Sequence, residues 1–270
     1  MRIKLPQDAE TDMQQASRPG WACRYGYVRS MECRQAGESG QDYLALDIGD
    51  QGLSFVLCDG ISQSYYGELA ARMVGDRLLD WLAEAGEAAR DEPEALRRHW
   101  DACSRELAAS ASQTIREHEI STDIQGMLRE VLLDKKRLGS ATVYCGGRID
   151  FPCDAFPGGR LLLVWQGDIR CRIWNGTSEV TWSRLGNRFH TREQWNSIAG
   201  PTGGIPHLFM DRLLHGARRG ELLIYTDGLK VLDSHNPVTG QALAQAVASA
   251  SGQPASDDIS YLQVQWDYKL

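Results

Sequence analysis

Apolar and polar residues alternate with a period of two through most of this chain, and with a helical period only in its middle third and once near the end. The stretch WACRYGYVRSMEC, residues 21–33, is rich in aromatic residues in loose alternation and predicts a strand. A Gly-rich turn, AGESG, leads into DYLALDIGD and LSFVLCDG, which read as a hairpin around Asp50-Gln51-Gly52. Leu69, Met73, Val74, Leu78 and Trp81 then recur at helical spacing and predict a helix over 65–87. Asp91 reads as the cap of a second helix with Pro93 in its first turn, running to 119, and a shorter helix follows over 124–136. Period two returns in SATVYCGGRI, LLLVWQGD and RCRIWNG, and Asn175-Gly176 turns the last of these into SEVTWSRL. Beyond an irregular stretch over 187–210, ELLIYTDG reads as a buried strand, 240–251 as a helix and ISYLQVQWDY as the final strand. Residues 1–18 are polar and are expected to form a flexible tail, with 19–270 as one domain. This order has no βα alternation and no repeat, which predicts an α+β chain of antiparallel sheets with helices on their outer faces.

Composition narrows the function classes. The 270 residues are 42% hydrophobic and 24% charged, an ordinary globular balance. No apolar run approaches the roughly 20 residues of a membrane span. The opening MRIKLPQDAETDMQQ lacks the apolar stretch of a signal peptide, so a cytoplasmic location is expected. The seven cysteines are odd in number and scattered without a C-x-x-C pair, which argues against a disulfide framework and a structural zinc site. A net charge of −7 without any Lys/Arg block argues against nucleic acid or an anionic membrane as the main partner.

The candidate chemistry lies where strands stop. Asp59 in FVLCDG, Asp168 in LLVWQGD and Asp227 in LLIYTDG each end an apolar run, while Asp42 and the pair Asp257-Asp258 each open one. A single Asp-Gly after a strand is ordinarily a turn. Repeated at several strand ends, the pattern is costly unless something offsets the charge, because converging carboxylates repel one another and raise their own pKa values. A divalent cation reverses that balance. With no histidine pair at ligand spacing the donors are oxygens, which selects Mg²⁺ or Mn²⁺ over Zn²⁺. No G-x-S-x-G elbow follows a strand, which argues against a serine triad.

The ordered set QDY, CDGISQSYYGELAA, GSAT, GDIR, TDGL and DDIS resembles the metal-dependent serine/threonine phosphatases of type 2C, and GESGQDYLAL is most similar to their bacterial branch. The resemblance spans 21–266. It implies a four-layer α-β-β-α sandwich, two antiparallel sheets flanked by helices, with two Mn²⁺ or Mg²⁺ ions and a possible third at one end. By the same resemblance Asp59 bridges both ions, the Gly60 carbonyl binds one, Asp227 and Asp257 are core ligands, and Asp42 acts through metal-bound water. Asp168 matches a ligand of the third ion, Asp258 a neighbouring polar position, and Gly139, Ser140, Ala141 and Thr142 a packing step. The activity implied is hydrolysis of phosphoserine or phosphothreonine by a metal-bridging hydroxide, with a phosphorylated protein as substrate, a serine/threonine kinase or its target. Cys58 then reads as a core residue rather than a nucleophile.

Three features depart from the family. The run after Asp59-Gly60 is Ile61, Ser62, Gln63, Ser64, without the histidine that many members carry there; His190 is a distant substitute. Arg34, with Arg29 second, is the candidate for binding the substrate phosphate. The 187–210 stretch falls where the family has a variable flap, and its His190, Trp195 and His207 are candidates for substrate contact or, for Trp195, for packing the loop. A phosphatase-like binding or regulatory module and a phosphoesterase acting on a small phosphorylated metabolite are the alternative functions. Retention of Asp59, Asp227 and Asp257 favours catalysis.

Overall fold

The period-two stretches form two antiparallel sheets in a computed structural model that describes residues 1–87, 92–215 and 217–268. The first sheet contains β1 (Arg2–Lys4), β4 (Tyr43–Ile48), β5 (Gly52–Gly60), β6 (Ala141–Asp150), β7 (Arg160–Gln166), β10 (Gln194–Asn196), β11 (Gly200–Thr202) and β12 (His207–Asp211). The second runs in the order β2 (Thr11–Arg18), β3 (Trp21–Val28), β14 (Ile259–Asp267), β13 (Arg219–Tyr225), β8 (Arg170–Asn175), β9 (Ser178–Glu179). Successive residues of β5 go to opposite faces: Leu53, Phe55 and Leu57 enter the layer between the sheets, while Val56 and Cys58 lie outward under a helix. Leu222, Ile224, Leu262 and Val264 meet them from the second sheet.

Helices cover both outer faces. α2 (Gly67–Glu87) and α3 (Pro93–Glu117) pack over the first sheet, burying Val74, Leu78, Trp81, Leu96 and Trp100 against β5 and β6. Trp100 Nε1 donates to the Tyr144 hydroxyl at 2.8 Å, so the buried indole N–H is satisfied. α6 (Gly240–Ser251), capped by the Thr239 hydroxyl, and a 3-10 helix (Asp227–Ser234) cover the second sheet. The result is the expected α-β-β-α sandwich. α4 (Gly126–Leu138) buries no residue.

Several expectations need correction. Residues 1–18 are not a loose tail: β1 pairs with β4, and β2 pairs with β3. β2, TDMQQASR, is exposed along most of its length and joins the sheet edge through its backbone, so it carries no apolar alternation to betray it. The strand expected over 21–33 stops at Val28, and α1 (Met31–Ala36) follows, with the Ser30 side chain accepting from the Cys33 amide. SEVTWSRL holds only the two residues of β9 before α5 (Thr181–Leu185). The irregular 187–210 stretch contains β10, β11 and part of β12. Asp91 lies outside the described residues.

Candidate metal centre

Antiparallel order decides where the acids go, because the start of each strand lies beside the end of its neighbour. The β4–β5 register pairs Tyr43 with Cys58, which sets Asp42 opposite Asp59. β5 pairs Asp59 with Val143 and Gly60 with Thr142, and the Thr142 hydroxyl donates to the Asp59 carbonyl at 2.7 Å. Asp168 sits in the crossover from β7 to β8, Asp227 follows the end of β13, and Asp257 precedes β14. Both sheets therefore deliver their acids to one end of the sandwich.

Two hydrogen-bond systems lock this edge. The buried Thr226 hydroxyl donates to Asp42 Oδ2 at 2.8 Å and accepts from the Ser260 amide at 3.0 Å, joining the first sheet to the second. Asp258, 5% exposed, accepts from the Ser30 amide at 2.6 Å through one oxygen and from the Gln41 amide through the other. Asp258 is thus a latch for the two loops behind the site. Ser140 Oγ donates to the Tyr66 carbonyl and accepts from the Ala70 amide, fastening β6 to the start of α2. Gly60 and Gly67 meet backbone to backbone: a Cβ on Gly67 would stand 2.6 Å from the Gly60 carbonyl carbon.

The electrostatics are those of unpaired acids. Burial pushes the Asp42 carboxyl well above the ordinary range, and the charges of Asp59 and Asp258 add to the shift. Asp59 is raised likewise, by burial first and then by Asp227, Asp257, Asp258 and Asp168. Asp257, at the more open rim, is raised by partial burial and by Asp227, with Lys230 opposing. The Cys58 thiol is also driven up by burial, which fits a core residue and not a nucleophile. Glu68, in the first turn of α2, is pushed up to about 6, chiefly by burial. Its sequence position signals only a helix-dipole partner.

Asp42 and Asp59 would hold protons in the metal-free folded protein that the unfolded chain releases. The stability they contribute is complete below the ordinary value near 3.8 and is lost as pH rises through their raised folded values. The metal-free wild type is therefore expected to lose more melting temperature than Asp59→Asn as pH rises from 5 to 8. Mn²⁺ should restore it, by about 2.7 kcal/mol at one hundred times the dissociation constant. Parallel pH profiles with no response to Mn²⁺ would mean that these acids are turn residues.

The donor set fits hard divalent cations: it is all oxygen, and it carries the buried Asp42 and the half-buried Asp59 carboxyls with no basic partner among the described residues. Among the described residues no three His, Cys, Asp or Glu side chains close into a cage, so ions here would keep much of their water.

Arg34 stands apart from these acids. Its Nη2 donates to the Ser251 carbonyl at 2.6 Å and its Nε reaches Ser30 O, so the guanidinium ties α1 to the end of α6. Arg29 pairs with Glu10. In the flap, Trp195 is fully buried and donates to the Ser104 carbonyl at 2.8 Å, so it packs the loop down and offers no substrate contact. His207 bonds Glu193 at 2.8 Å and stacks on Trp165, and the His190 amide donates to the Gly167 carbonyl next to Asp168. Thr226, and the amides of Ser30 and Gln41 that Asp258 holds, are the positions that sequence reasoning missed. A threonine before Asp-Gly and a second aspartate after Asp257 were the only signals. A cavity of about 980 Å³, lined by Arg24, Trp174, Arg219 and Glu221, opens at the opposite end of the sandwich and holds none of the expected site residues.

No protein-family model matches the sequence, and the search of curated proteins returns no match. Among solved structures, the serine/threonine phosphatase Stp1 from Staphylococcus aureus matches with a TM-score of 0.55 at 13% identity, over 98% of this chain and 98% of that one. A bacterial serine phosphatase carrying an arginine-to-lysine substitution matches with a TM-score of 0.54 at 13% identity, over 96% of this chain and 100% of that one. This chain has the fold of the bacterial serine/threonine phosphatases. No described helix is long and apolar enough to cross a membrane.

Proposed function

We propose that this chain is a Mn²⁺- or Mg²⁺-dependent phosphoprotein phosphatase acting on phosphoserine and phosphothreonine. The observation that carries the reading is the opposition of Asp42 and Asp59 across β4 and β5, joined at the same edge by Asp227 and Asp257 from the second sheet. Asp59, the Gly60 carbonyl, Asp227 and Asp257 would hold two ions, with Asp42 reaching them through water and Asp168 serving a third. When bound, the ions supply an acidified water as nucleophile and offset the charge of the phosphoryl oxygens. The chain's own part is placement. Thr226 fixes the Asp42 carboxylate, Asp258 holds the loops at Ser30 and Gln41, and the Gly60–Gly67 contact keeps the Asp59 step against the start of α2. The rim formed by Asp227 and Asp257 is exposed, which suits a phosphorylated side chain presented by a protein, a kinase or its target, better than an enclosed metabolite.

Hydrolysis of p-nitrophenyl phosphate and of a phosphothreonine peptide, each with Mn²⁺, Mg²⁺ or EDTA, tests the reading. Turnover with either ion, abolished by EDTA and higher in kcat/KM on the peptide, is expected. Absence of turnover with every metal would overturn it.

A further inference from the structure

The arginines that the sequence offers for the substrate phosphate are engaged elsewhere. Arg34 is held by the Ser251 carbonyl and Arg29 by Glu10. At the acidic edge itself, Arg170 Nη1 reaches the Asp168 carbonyl at 3.5 Å and its Nε lies 3.7 Å from Asp233. The edge needs a cation all the same. Its five aspartates, Asp42, Asp59, Asp168, Asp227 and Asp257, outnumber the positive charges of two divalent ions, and a phosphate monoester brings up to about two more negative charges. An anion approaching such a site is repelled unless a further positive group faces it.

Lys230 is placed to be that group. It lies one turn past Asp227 on the 3-10 helix (Asp227–Ser234) and is exposed. The helix is fixed around it: Leu229 and Leu232 are buried in the cluster that holds Leu243 of α6, the Tyr225 hydroxyl donates to Asp233 Oδ1 at 2.7 Å, and Arg172 Nη1 donates to the Leu232 carbonyl at 2.8 Å. At its start Gly228 packs directly on the Asp258 carbonyl, where a Cβ would have no room, so the helix begins against the Asp257-Asp258 turn. Lys230 therefore stands on an anchored backbone beside two of the expected ligands, Asp227 and Asp257. Its ammonium makes no hydrogen bond and no ion pair among the described residues, and Asp257 feels its charge. A lysine is a point charge on a flexible stem, able to follow an anion without matching it as a planar fork must.

We propose that Lys230 binds the phosphoryl oxygens of the substrate at the rim formed by Asp227 and Asp257, the role that the engagement of Arg34 leaves open. The inference rests on the phosphatase reading and names a binding group for it. The contact is with the phosphate itself, not with acidic residues that flank it in a protein. A charge that faces the phosphate before and during reaction acts on KM and little on kcat.

Lys230→Gln and Lys230→Arg test this on the full chain. The position is exposed, so both variants should melt with wild type. With Mn²⁺, Lys230→Gln should raise KM about tenfold on p-nitrophenyl phosphate and equally on a phosphothreonine peptide free of Asp and Glu, with kcat within about twofold, and Lys230→Arg should recover most of the loss. Calorimetric titration of the Mn²⁺-loaded protein with inorganic phosphate should show a similar loss of affinity, while the Mn²⁺-induced rise in melting temperature is unchanged. An unmoved KM with an unmoved phosphate affinity overturns the proposal. A rise in KM confined to a peptide with flanking Asp and Glu overturns it in favour of a contact to the peptide. Loss of the Mn²⁺ response overturns it in favour of a role in placing the ligands. The two readings fail separately. Wild type that turns over with Mn²⁺ and whose KM ignores Lys230 removes the phosphate contact and keeps the phosphatase. Wild type that never turns over, yet binds phosphate in a Lys230-dependent way, removes the phosphatase and keeps the phosphate contact.

Discussion

Asp59→Asn is expected to lower metal-dependent phosphate release by about a hundred- to a thousandfold or more, the cost of removing one preorganised electrostatic contact at a reacting centre. Asparagine keeps the shape of the side chain but removes its charge at the point where Asp42, Asp168, Asp227 and Asp257 converge electrostatically. In EDTA the variant should melt no lower than wild type, because it relieves repulsion among buried carboxyls. With Mn²⁺, wild type should gain melting temperature and the variant should not. Asp227→Asn is the companion: the residue is exposed, so its loss of activity cannot be laid to unfolding. Turnover close to wild type in both variants would sink the binuclear assignment.

Asp258→Ala should cause the largest loss of stability. It removes a buried acceptor and leaves the Ser30 and Gln41 amides without their partner, at about 1–3 kcal/mol for each orphaned group, or about 2–6 kcal/mol in all. Urea unfolding at neutral pH, followed by the shift in midpoint, measures this. Asp258→Asn should recover part of the loss, since the amide oxygen still accepts one bond. It should also keep the Mn²⁺-induced rise in melting temperature that Asp59→Asn loses, which separates the latch from the ligands. An Asp258→Ala variant within about 0.5 kcal/mol of wild type would mean that the two loops hold themselves.

Much of this was legible along the chain because it is local. The strands from Tyr43 to Gly60 and from Ala141 to Asn175 announce themselves by alternation or by continuous apolar runs, and α6 runs over the residues that its periodicity predicts. The acids stood out because each marks the end or start of an apolar run. What failed to show was what lacks an apolar signature. β2 is held by backbone hydrogen bonds between polar residues, and α1 is too short for a period. Trp195 reads along the chain either as a substrate contact or as packing for the flap; its burial bears out the packing reading, though the site its indole fills under α3 exists only through the β6–β10 pairing. Arg34 and Asp258 show the same limit for charge. Each could serve a ligand by its sequence position, and each is engaged by backbone groups over two hundred residues away.

The sequence by itself determined the α+β class, most strand and helix positions, and a set of acids at strand boundaries suited to hard cations, because period, turn chemistry and residue type are properties of short segments. Only the tertiary structure decided that Asp42 faces Asp59, that Thr226 bridges the two sheets to reach Asp42, that Asp258 turns away to hold Ser30 and Gln41, and that α4 buries no residue. Register and burial are set by which distant segments share a core, and a hydrogen bond or a raised pKa exists only once that core has brought its groups together.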